Sequence, residues 1–414
     1  MLTILCIATY FKGDPFLREC KAQGCTVLLL TTDKLVGAEW PREAIDEIHS
    51  VPRDASDEAI RRHVGMLARR HRIDRIAALD DFDVELAAML REHLRIAGMG
   101  RTTATRFRDK LAMRMQARTL GVPVPEFSAV FNDQEVADWA GRVTPPWVLK
   151  PRSSAAAIGI RKVDDREALW RALAAAGDDR AQCVLEQFVP GDVYHVDSIV
   201  WNGKVVFAVA FKYGRPPMEV SHDGGLFITR RLPDDSDEAR AVLAMNRTLQ
   251  EGLGLRRGVS HTEFIRAHRA GLSTDAAGGD SRAKVDGSEG VVFLETSARV
   301  GGAYIVDTID AATGINLWRE WAKVEIAGEH GAYAVPARRN DYAGIVLTLA
   351  RQESPDMSGY TDPEIATTIR RDHHAGIIVR SPEPQRIEAL LADYTQRFYR
   401  DFFATAPPPE RPVE

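Results

Sequence analysis

Residues 146–160 read PWVLKPRSSAAAIGI, an apolar strand pattern that ends in a lysine and runs into a loop of small residues. Burying the ammonium group of Lys150 at the end of such a strand is costly unless it meets an anion or reaches water. The small residues after it allow backbone N–H groups to approach a ligand closely before the next strand begins. The pattern is typical of a phosphate-binding loop, although a surface lysine before an ordinary hairpin gives the same string.

A pair of acidic residues further along the chain indicates a metal site. Glu263 lies in the apolar string VSHTEFI and Glu295 in VVFLETSAR, so each carboxylate is flanked by residues that favour burial. Two carboxylates on one face of neighbouring antiparallel strands suit Mg²⁺, which binds one or two protein carboxylates together with phosphate oxygens. In a strand, Ser297 and Arg299 share the face of Glu295 because side chains alternate. A simple ion pair between Arg299 and Glu295 is the alternative interpretation.

The string VLEQFVPGDVYHVDSIV, over residues 184–200, is a third candidate. Glu186 ends a strand pattern. The apolar, proline-containing segment that follows offers backbone amides at 187–189, which are suited to hydrogen bonding with the edge of an adenine ring. His195 and Asp197 open the next strand pattern, where surface polarity at a strand start is the simpler interpretation.

The first hundred residues alternate short apolar runs with helical patterns, which is typical of a parallel sheet covered by helices. Strands are predicted over 2–8, 26–31 and 76–79, and helices over 14–23, 61–72 and 84–94. No GxGxxG turn is present, so a dinucleotide site in this Rossmann-like unit has weak support. Beyond the unit, Lys110 opens a helix predicted over 109–120.

Strands dominate the pattern from residue 146 onward. They are predicted over 147–150, 158–163, 184–188, 195–200, 205–212, 259–265 and 291–296, with a helix over 166–176. Asn202-Gly203, between two of these strands, is a strong hairpin signal. The Gly-, Ser- and Asp-rich residues 267–290 predict an insertion at a hairpin tip, and the proline-containing residues 406–414 predict a frayed terminus.

The composition argues against several classes of protein. The 414 residues carry 54 Lys and Arg against 59 Asp and Glu, and the formal net charge of −5 argues against nucleic acid or an anionic membrane surface as the main partner. No apolar run approaches the roughly 20 residues that span a bilayer, and the N-terminal residues lack the features of a signal peptide. A cytoplasmic protein is therefore predicted. The four cysteines form no CxxC motif, so neither a disulfide framework nor a thiolate zinc site is expected.

Five strings, in their order along the chain, resemble the ATP-grasp superfamily, which includes carboxylate–amine ligases and biotin carboxylase-like enzymes. They are DKLAMRMQARTLGVPVP, PWVLKPRSSAAAIGI, VLEQFVPGDVYHVD, HTEFI and FLETSARVGGAYIVDTIDAATGINL. The resemblance covers roughly residues 106–326 and implies an α/β protein. The expected parts are an N-terminal Rossmann-like parallel-sheet domain at 1–105, an α+β ATP-grasp module at 106–326 with a lid at about 146–200, and a C-terminal subdomain with a disordered tail at 327–414.

The resemblance also implies roles for individual residues. Lys110 and Lys150 would hold the nucleotide phosphates, the loop that contains Ser153, Ser154 and Gly159 would cover the γ-phosphate, Glu186 with Gln187 and Val189 would bind adenine, and His195 would lie near the ribose. Glu263, Glu295 and Ser297 would bind Mg²⁺ or Mn²⁺, and Arg299 would act with Lys150 as a catalytic cation on the transferred phosphoryl group. Ser297 stands where the family commonly has Asn, and Val193 stands where many members have a ribose-binding glutamate, so that Asp192, His195 or neither replaces it.

The activity implied by the resemblance is ATP-dependent ligation of a small-molecule carboxylate to an amine through an acyl phosphate, with release of ADP and phosphate. A homodimer is compatible with it. One alternative is a biotin carboxylase-like enzyme that activates bicarbonate, which a chain of this length without a carrier domain disfavours. Another is a nucleotide-binding regulatory protein with a decayed active site, which the retained lysines, glutamates and arginine disfavour.

Substrate contacts are expected in two segments. The residues between the lid and the first metal-binding glutamate include His222, Arg230 and Arg231, which are suited to holding a carboxylate. Gly301 and Gly302, directly after Arg299, would admit a substrate closely because they lack side chains. A charged loop and an ordinary turn explain these residues equally well.

Overall fold

The computed structural model describes residues 1–154, 158–268 and 290–405. Three sheets form the framework within these ranges, and the α/β class predicted from the sequence is confirmed. The insertion predicted over 267–290 and the frayed tail predicted over 406–414 lie outside the described residues, apart from the two ends of the insertion. None of the described helices is both long enough and apolar enough to cross a membrane.

A four-stranded parallel sheet is built by the N-terminal residues, as the alternating pattern predicts. Its elements are β1 (Thr3–Ile7), α1 (Asp14–Ala22), β2 (Thr26–Thr32), β3 (Glu47–Val51), α2 (Asp57–Arg70), β4 (Arg75–Ala78), α3 (Val84–Leu94) and α4 (Arg101–Thr105). The strand order is β3-β2-β1-β4, and each pair is parallel. β3 is not predicted from the sequence, because its residues, EIHSV, contain no apolar run. α2 begins before the predicted residue because the Ser56 hydroxyl accepts a hydrogen bond from Ala59 N and caps it.

A smaller antiparallel sheet follows. Its elements are α5 (Lys110–Thr119), β5 (Phe127–Ala129), α6 (Asp133–Arg142), β6 (Trp147–Pro151), β7 (Arg161–Val163), α7 (Arg166–Ala176) and β8 (Cys183–Gln187), and its strand order is β5-β8-β6-β7. β7 is shorter than the strand predicted over 158–163 because Gly159 turns the chain with a φ of +75°. A Cβ atom at this position would lie 2.9 Å from Pro151 Cγ, so the turn requires glycine.

An eight-stranded antiparallel sheet forms the centre of the molecule. Its elements are β9 (Gly191–Trp201), β10 (Lys204–Tyr213), α8 (Pro217–Asp223), β11 (Phe227–Arg231), α9 (Asp237–Leu253), β12 (Gly258–Ala267), β13 (Val291–Ser297), α10 (Ile305–Thr313), α11 (Leu317–Ala327), β14 (Tyr342–Leu349), β15 (Ile365–Arg371), β16 (His374–Ser381) and α12 (Pro384–Asp401). The strand order is β13-β12-β9-β10-β11-β14-β16-β15. β9 belongs to this sheet, although the lid was expected to reach about residue 200. The three C-terminal strands, for which the sequence offers no motif, continue the same sheet.

Both faces of β9 are covered, and this decides where its polar residues lie. Ile199 packs in a core cluster that includes residues of α10 and α11. Val196 packs in a second cluster with residues of α9. Because side chains alternate along a strand, His195 and Asp197 share the face of Ile199. Glu263 on the neighbouring strand β12 lies opposite His195, and Glu295 lies opposite Glu263, so both predicted metal-binding glutamates are on this face too.

Candidate functional site

A buried group of opposite charges joins α5 to the smaller sheet. Lys150 Nζ lies 2.7 Å from Glu186 Oε2, and Arg114 Nε lies 3.0 Å from Glu186 Oε1. Burial lowers the pKa of Lys150 to about 8, although the nearby Glu186 carboxylate raises it. Burial opposes ionisation of Glu186, but the charges of Arg114 and Lys150 hold its pKa below the usual range. Glu186, which is predicted to anchor adenine, therefore has its carboxylate engaged by two cations.

Arg114 is a member of the site that the sequence interpretation leaves out. It follows Lys110 by four residues on α5, so both side chains project from one face of the helix. Arg114 is 0% exposed. The signal available in the sequence is this lysine–arginine spacing, since two cations on one buried helix face need anionic partners.

We expect Arg114→Met to lower the free energy of unfolding by about 3 kcal/mol, because it removes one partner from a buried ion pair. The ion pair with Lys150 still neutralises part of the negative charge of Glu186, so the protein should still fold. Urea denaturation measures the change. The matched control is Arg118→Met, one turn later on α5, where the arginine is exposed and lies 3.6 Å from Glu126, so its loss should cost at most about 1 kcal/mol. Equal effects of the two substitutions would contradict the assigned importance of the buried pair.

Lys110 connects the predicted phosphate loop to the predicted metal site. Its Nζ donates to the carbonyl oxygen of Ser154 at 2.7 Å and lies 3.2 Å from Glu295 Oε2. Burial opposes ionisation of Glu295, but Lys110 and Lys150 hold its pKa well below the usual range. The two predicted sites therefore form one continuous group of charges, which we call the cleft.

The start of the predicted phosphate loop is anchored by the three consecutive residues 108–110. Arg108 Nη2 donates to Ser153 O at 2.5 Å, and Arg152 Nε donates to Asp109 Oδ1 at 3.0 Å. Arg108 also pairs with Asp81, which follows β4, so the loop is tied to the N-terminal sheet. The loop is described up to residue 154 and again from residue 158. Neither Arg108 nor Asp81 has a motif that marks it in the sequence.

The two predicted metal-binding glutamates are direct partners across neighbouring strands. Glu263 on β12 pairs in register with Glu295 on β13, so both carboxylates lie on one face. Tyr213 Oη donates to Glu263 Oε1 at 2.8 Å. Ser297 lies two residues beyond Glu295 on the same face, opposite His261. Like charges in this arrangement destabilise a sheet unless a cation lies between them, and oxygen ligands of this kind suit Mg²⁺.

Arg299 lies just beyond the end of β13. Its Nη1 donates to Val300 O at 2.6 Å, and its buried Nε has no partner among the described residues. No ion pair joins it to Glu295 in the part of the chain that the structure describes, so the alternative interpretation of a simple pair is not supported. The guanidinium group keeps a donor available at the edge of the cleft.

The charges of the cleft do not balance. Four cations of the cleft, Lys110, Arg114, Lys150 and Arg299, face three carboxylates, Glu186, Glu263 and Glu295. A surplus positive charge in a buried site is costly unless an anion compensates it. The residues present therefore fit a phosphate-bearing ligand, and Glu263 with Glu295 fits a divalent cation beside it.

The predicted adenine segment differs from the sequence interpretation in one respect. Gln187 N donates to Glu126 O at 2.7 Å, because β8 continues its pairing toward the start of β5. Phe188 N likewise donates to Pro146 O at 3.0 Å. The amide of Gln187 is therefore not available to an adenine edge. Val189 is the remaining amide, and no described residue accepts a hydrogen bond from it.

His195 does not lie at the surface start of a strand. It is 0% exposed in the middle of β9, with Nδ1 2.6 Å from Asp197 Oδ2 and Nε2 2.8 Å from Thr229 Oγ1. Both ring nitrogens are thus engaged, which is at odds with a contact to a ribose. Asp192, the other predicted replacement for the ribose-binding glutamate, forms an ion pair with Lys212 at 2.6 Å.

The predicted substrate residues are dispersed. His222 is exposed at the end of α8. Arg230 lies 2.9 Å from Glu388 on α12, and the buried Arg231 is engaged by Asp234 and other groups of the protein. These two arginines point to opposite faces of β11, so they do not form one carboxylate clamp.

The two glycines after Arg299 have different surroundings. A Cβ atom on Gly301 would lie 2.8 Å from Ile305 Cγ2 and 3.0 Å from His261 Nδ1. Gly301 thus accommodates a close approach within the protein itself. Gly302 faces open space, where a substrate would find room.

Comparisons with known proteins show which folds this chain is similar to. The chain is 22% identical over 283 residues to an L-arginine-specific L-amino acid ligase of Bacillus subtilis, a match that spans 64% of this chain and 63% of that protein, less than two thirds of its length. The structure of an L-amino acid ligase from Bacillus licheniformis superposes with a TM-score of 0.70 at 18% identity, covering 98% of this chain and 99% of that one. The structure of N5-carboxyaminoimidazole ribonucleotide synthetase from Thermus thermophilus gives the same TM-score of 0.70, identity of 18% and coverage of 98% and 99%. No family model matches the chain.

Proposed function

We propose, from the ATP-grasp fold that this chain has in common with these solved structures, that the protein is an ATP-dependent carboxylate–amine ligase. Its substrates would be a small-molecule carboxylate and an amine, and its products an amide, ADP and phosphate. The similarity to an L-amino acid ligase supports an amino acid as the carboxylate. A cytoplasmic location and the domain boundaries at 105 and 326 belong to the same proposal.

The observation that carries the proposal is the unbalanced charge of the cleft. The four cations Lys110, Arg114, Lys150 and Arg299 outnumber the three carboxylates by one, and this surplus positive charge fits the phosphates of a nucleotide. The opposed glutamates, Glu263 and Glu295, fit a magnesium ion beside those phosphates. A carboxylate substrate would complete the set of anions.

The chemistry requires activation of the carboxylate. Its oxygen is a poor leaving group, so transfer of the γ-phosphoryl group of ATP to that oxygen gives an acyl phosphate and ADP. The nitrogen lone pair of the amine then attacks the carbonyl carbon, the bond to the phosphate oxygen breaks, and inorganic phosphate leaves as the amine loses a proton. No protein nucleophile is needed in either step.

The chain's own residues would act by orientation and charge. Lys150 and Lys110 would bind phosphate oxygens from the side of the smaller sheet and α5. Arg299, whose Nε has no partner among the described residues, would stabilise negative charge on the transferred group. A bound magnesium ion would neutralise phosphate oxygens next to Glu263 and Glu295. Water must be kept out, because it would hydrolyse the acyl phosphate.

A substrate panel tests the proposal. Release of ADP and phosphate should require ATP, Mg²⁺, a carboxylic acid and an amine together, and it should fall to background when either organic substrate is omitted. The panel should begin with pairs of L-amino acids, because the similarity to an L-amino acid ligase favours them. Phosphate release is measured by a coupled assay and the amide by mass spectrometry.

Two outcomes would overturn this function in favour of the alternatives. ADP formation that depends on bicarbonate, with no amide product, would indicate a carboxylase. Binding of ATP and Mg²⁺ without turnover across the whole panel would indicate a regulatory nucleotide-binding protein.

A further inference from the structure

A series of buried polar contacts, most of them hydrogen bonds, runs from the predicted metal site into the central sheet. Asp197 accepts from two rings, with Oδ1 2.9 Å from His261 Nδ1 and Oδ2 2.6 Å from His195 Nδ1. His195 Nε2 lies 2.8 Å from Thr229 Oγ1, and that hydroxyl donates to Lys212 O at 3.2 Å. None of the reactions proposed above uses these groups.

The series ends at Glu263. His261 Nε2 lies 3.6 Å from Glu263 Oε1, the same oxygen that accepts from Tyr213 Oη at 2.8 Å. One oxygen of Glu263 is therefore held by the protein, while these contacts leave the other oxygen to a ligand. Glu295, the opposed glutamate, is held instead by Lys110.

His195, Asp197 and His261 bring their ligand atoms within 4.8 Å of one another, as a metal site would require. The hydrogen bonds explain this closeness without an ion. Each Asp197 oxygen already has one ring N–H, and the second nitrogen of His195 is engaged by Thr229. Asp197 and His195 are also fully buried, at 0% exposure.

We propose that Asp197 is a positioning residue that acts through His261, together with Tyr213, to fix the Glu263 carboxylate for metal binding. This inference rests on the proposed function, because that function makes Glu263 a metal ligand. A ligating carboxylate whose other oxygen is hydrogen-bonded loses less conformational freedom when the ion binds. Substitution of such supporting groups typically lowers metal affinity by about 10- to 100-fold.

Packing also holds the rings of this series in place. Gly301 allows the backbone after Arg299 to lie against His261, since a Cβ atom there would be 3.0 Å from its Nδ1. Phe211 stacks on His195, with ring centroids 5.1 Å apart and planes at 13°. The rings of the series are thus held by packing as well as by hydrogen bonds.

The experiment measures Mn²⁺ binding in the presence of saturating ADP, by the loss of the electron paramagnetic resonance signal of free Mn²⁺. We expect Asp197→Asn to raise the Kd for Mn²⁺ by about 10- to 100-fold, and Tyr213→Phe to raise it by about 10-fold. The Kd for ADP without metal should change by less than about twofold. The matched control is Ser198→Ala, which removes a buried hydrogen bond to Asn246 on the opposite face of β9 and should leave the Kd for Mn²⁺ unchanged.

The outcomes separate this inference from the proposed function. Wild-type protein that binds no Mn²⁺ with ADP, or a Glu263→Gln variant that binds it normally, would contradict the metal site itself. Wild-type affinity in folded Asp197→Asn and Tyr213→Phe, with binding lost in Glu263→Gln, would overturn the positioning role alone. If Asp197→Asn does not fold, His261→Gln carries the test, because His261 is the residue through which Asp197 acts on Glu263, and unchanged Mn²⁺ affinity in that folded variant would overturn the role of Asp197. One further result would overturn the positioning role of Asp197: a stoichiometric metal ion that resists chelation in the wild-type protein and is lost in His195→Gln. His195, Asp197 and His261 would then themselves be a metal site.

Discussion

Replacing Glu295 by Gln should lower the rate of ADP formation by roughly 10³-fold while leaving the fold intact. Glu295 lies opposite Glu263 and 3.2 Å from Lys110, so its charge serves both the predicted metal ion and the phosphate side of the cleft. Glutamine keeps the shape of the side chain but removes the anionic oxygen that a divalent ion requires. The loss should appear in kcat and should not be relieved by excess substrate.

The control for this substitution is Glu251→Gln, which changes a glutamate that pairs with Lys204 at the surface. Phosphate release gives the rate, and circular dichroism with thermal unfolding establishes that the variant is folded. Glu295→Gln with a rate within about threefold of wild type would remove Glu295 from the metal site.

Replacing Lys150 by Ala should abolish detectable turnover and weaken ATP binding by at least about tenfold. Lys150 is buried beside Glu186, and its ammonium group is one of the cations that make the cleft positive. Loss of that charge removes the proposed phosphate contact and leaves Glu186 paired with Arg114 alone. Electrostatic groups of this kind, in a site that excludes water, contribute far more than they would in solvent.

Two further variants make the result on Lys150 interpretable. Lys150→Met keeps most of the side-chain volume, so a rate as low as that of Lys150→Ala would assign the effect to the charge rather than to a cavity. Lys204→Ala removes an exposed lysine and should retain full activity. The assigned role would be wrong if folded Lys150→Met turned over at a near-normal rate. Nucleotide affinity is measured by isothermal titration calorimetry and turnover by phosphate release.

The regular elements follow local patterns closely. The helix predicted over 84–94 is observed as Val84–Leu94, and that predicted over 166–176 as Arg166–Ala176. The second of these begins where Asp165 accepts a hydrogen bond from Ala168 N, a capping signal visible in the sequence. Local hydrogen bonds and side-chain periodicity suffice for such elements, because all the residues involved are near one another along the chain.

The β14–β16 strands and β3 are harder to predict. β3 is an edge strand with mostly half-buried residues, so it has neither an apolar run nor strict alternation. The place of β14 in the sheet is not visible in a local window, since β14 pairs with β11 from more than a hundred residues earlier. Long-range pairing of this kind leaves little trace in a local sequence window.

The residues of the candidate site also divide into those that the sequence marks and those that only the fold reveals. Lys150, Glu263 and Glu295 are detectable because a charge inside an apolar strand needs a reason. Arg114 on α5 and Arg108 in the turn before it are not, because cations in such segments are ordinary until the fold shows that they are buried. His195 illustrates the opposite error: the sequence indicates a polar strand start, whereas β10 and β12 enclose it on both sides.

The sequence by itself determined the class of fold, the small-residue loop after Lys150 that is predicted to bind phosphate, and the two acidic strands, since each depends on periodicity or on a charge placed in an apolar run. Only the tertiary structure decided which charges meet. It brings Arg114 to Glu186 across 72 residues and Asp197 to His261 across 64 residues. The physical reason is that the free energy of a buried charge depends on its partners in space, and sheet pairing, not sequence neighbourhood, selects those partners.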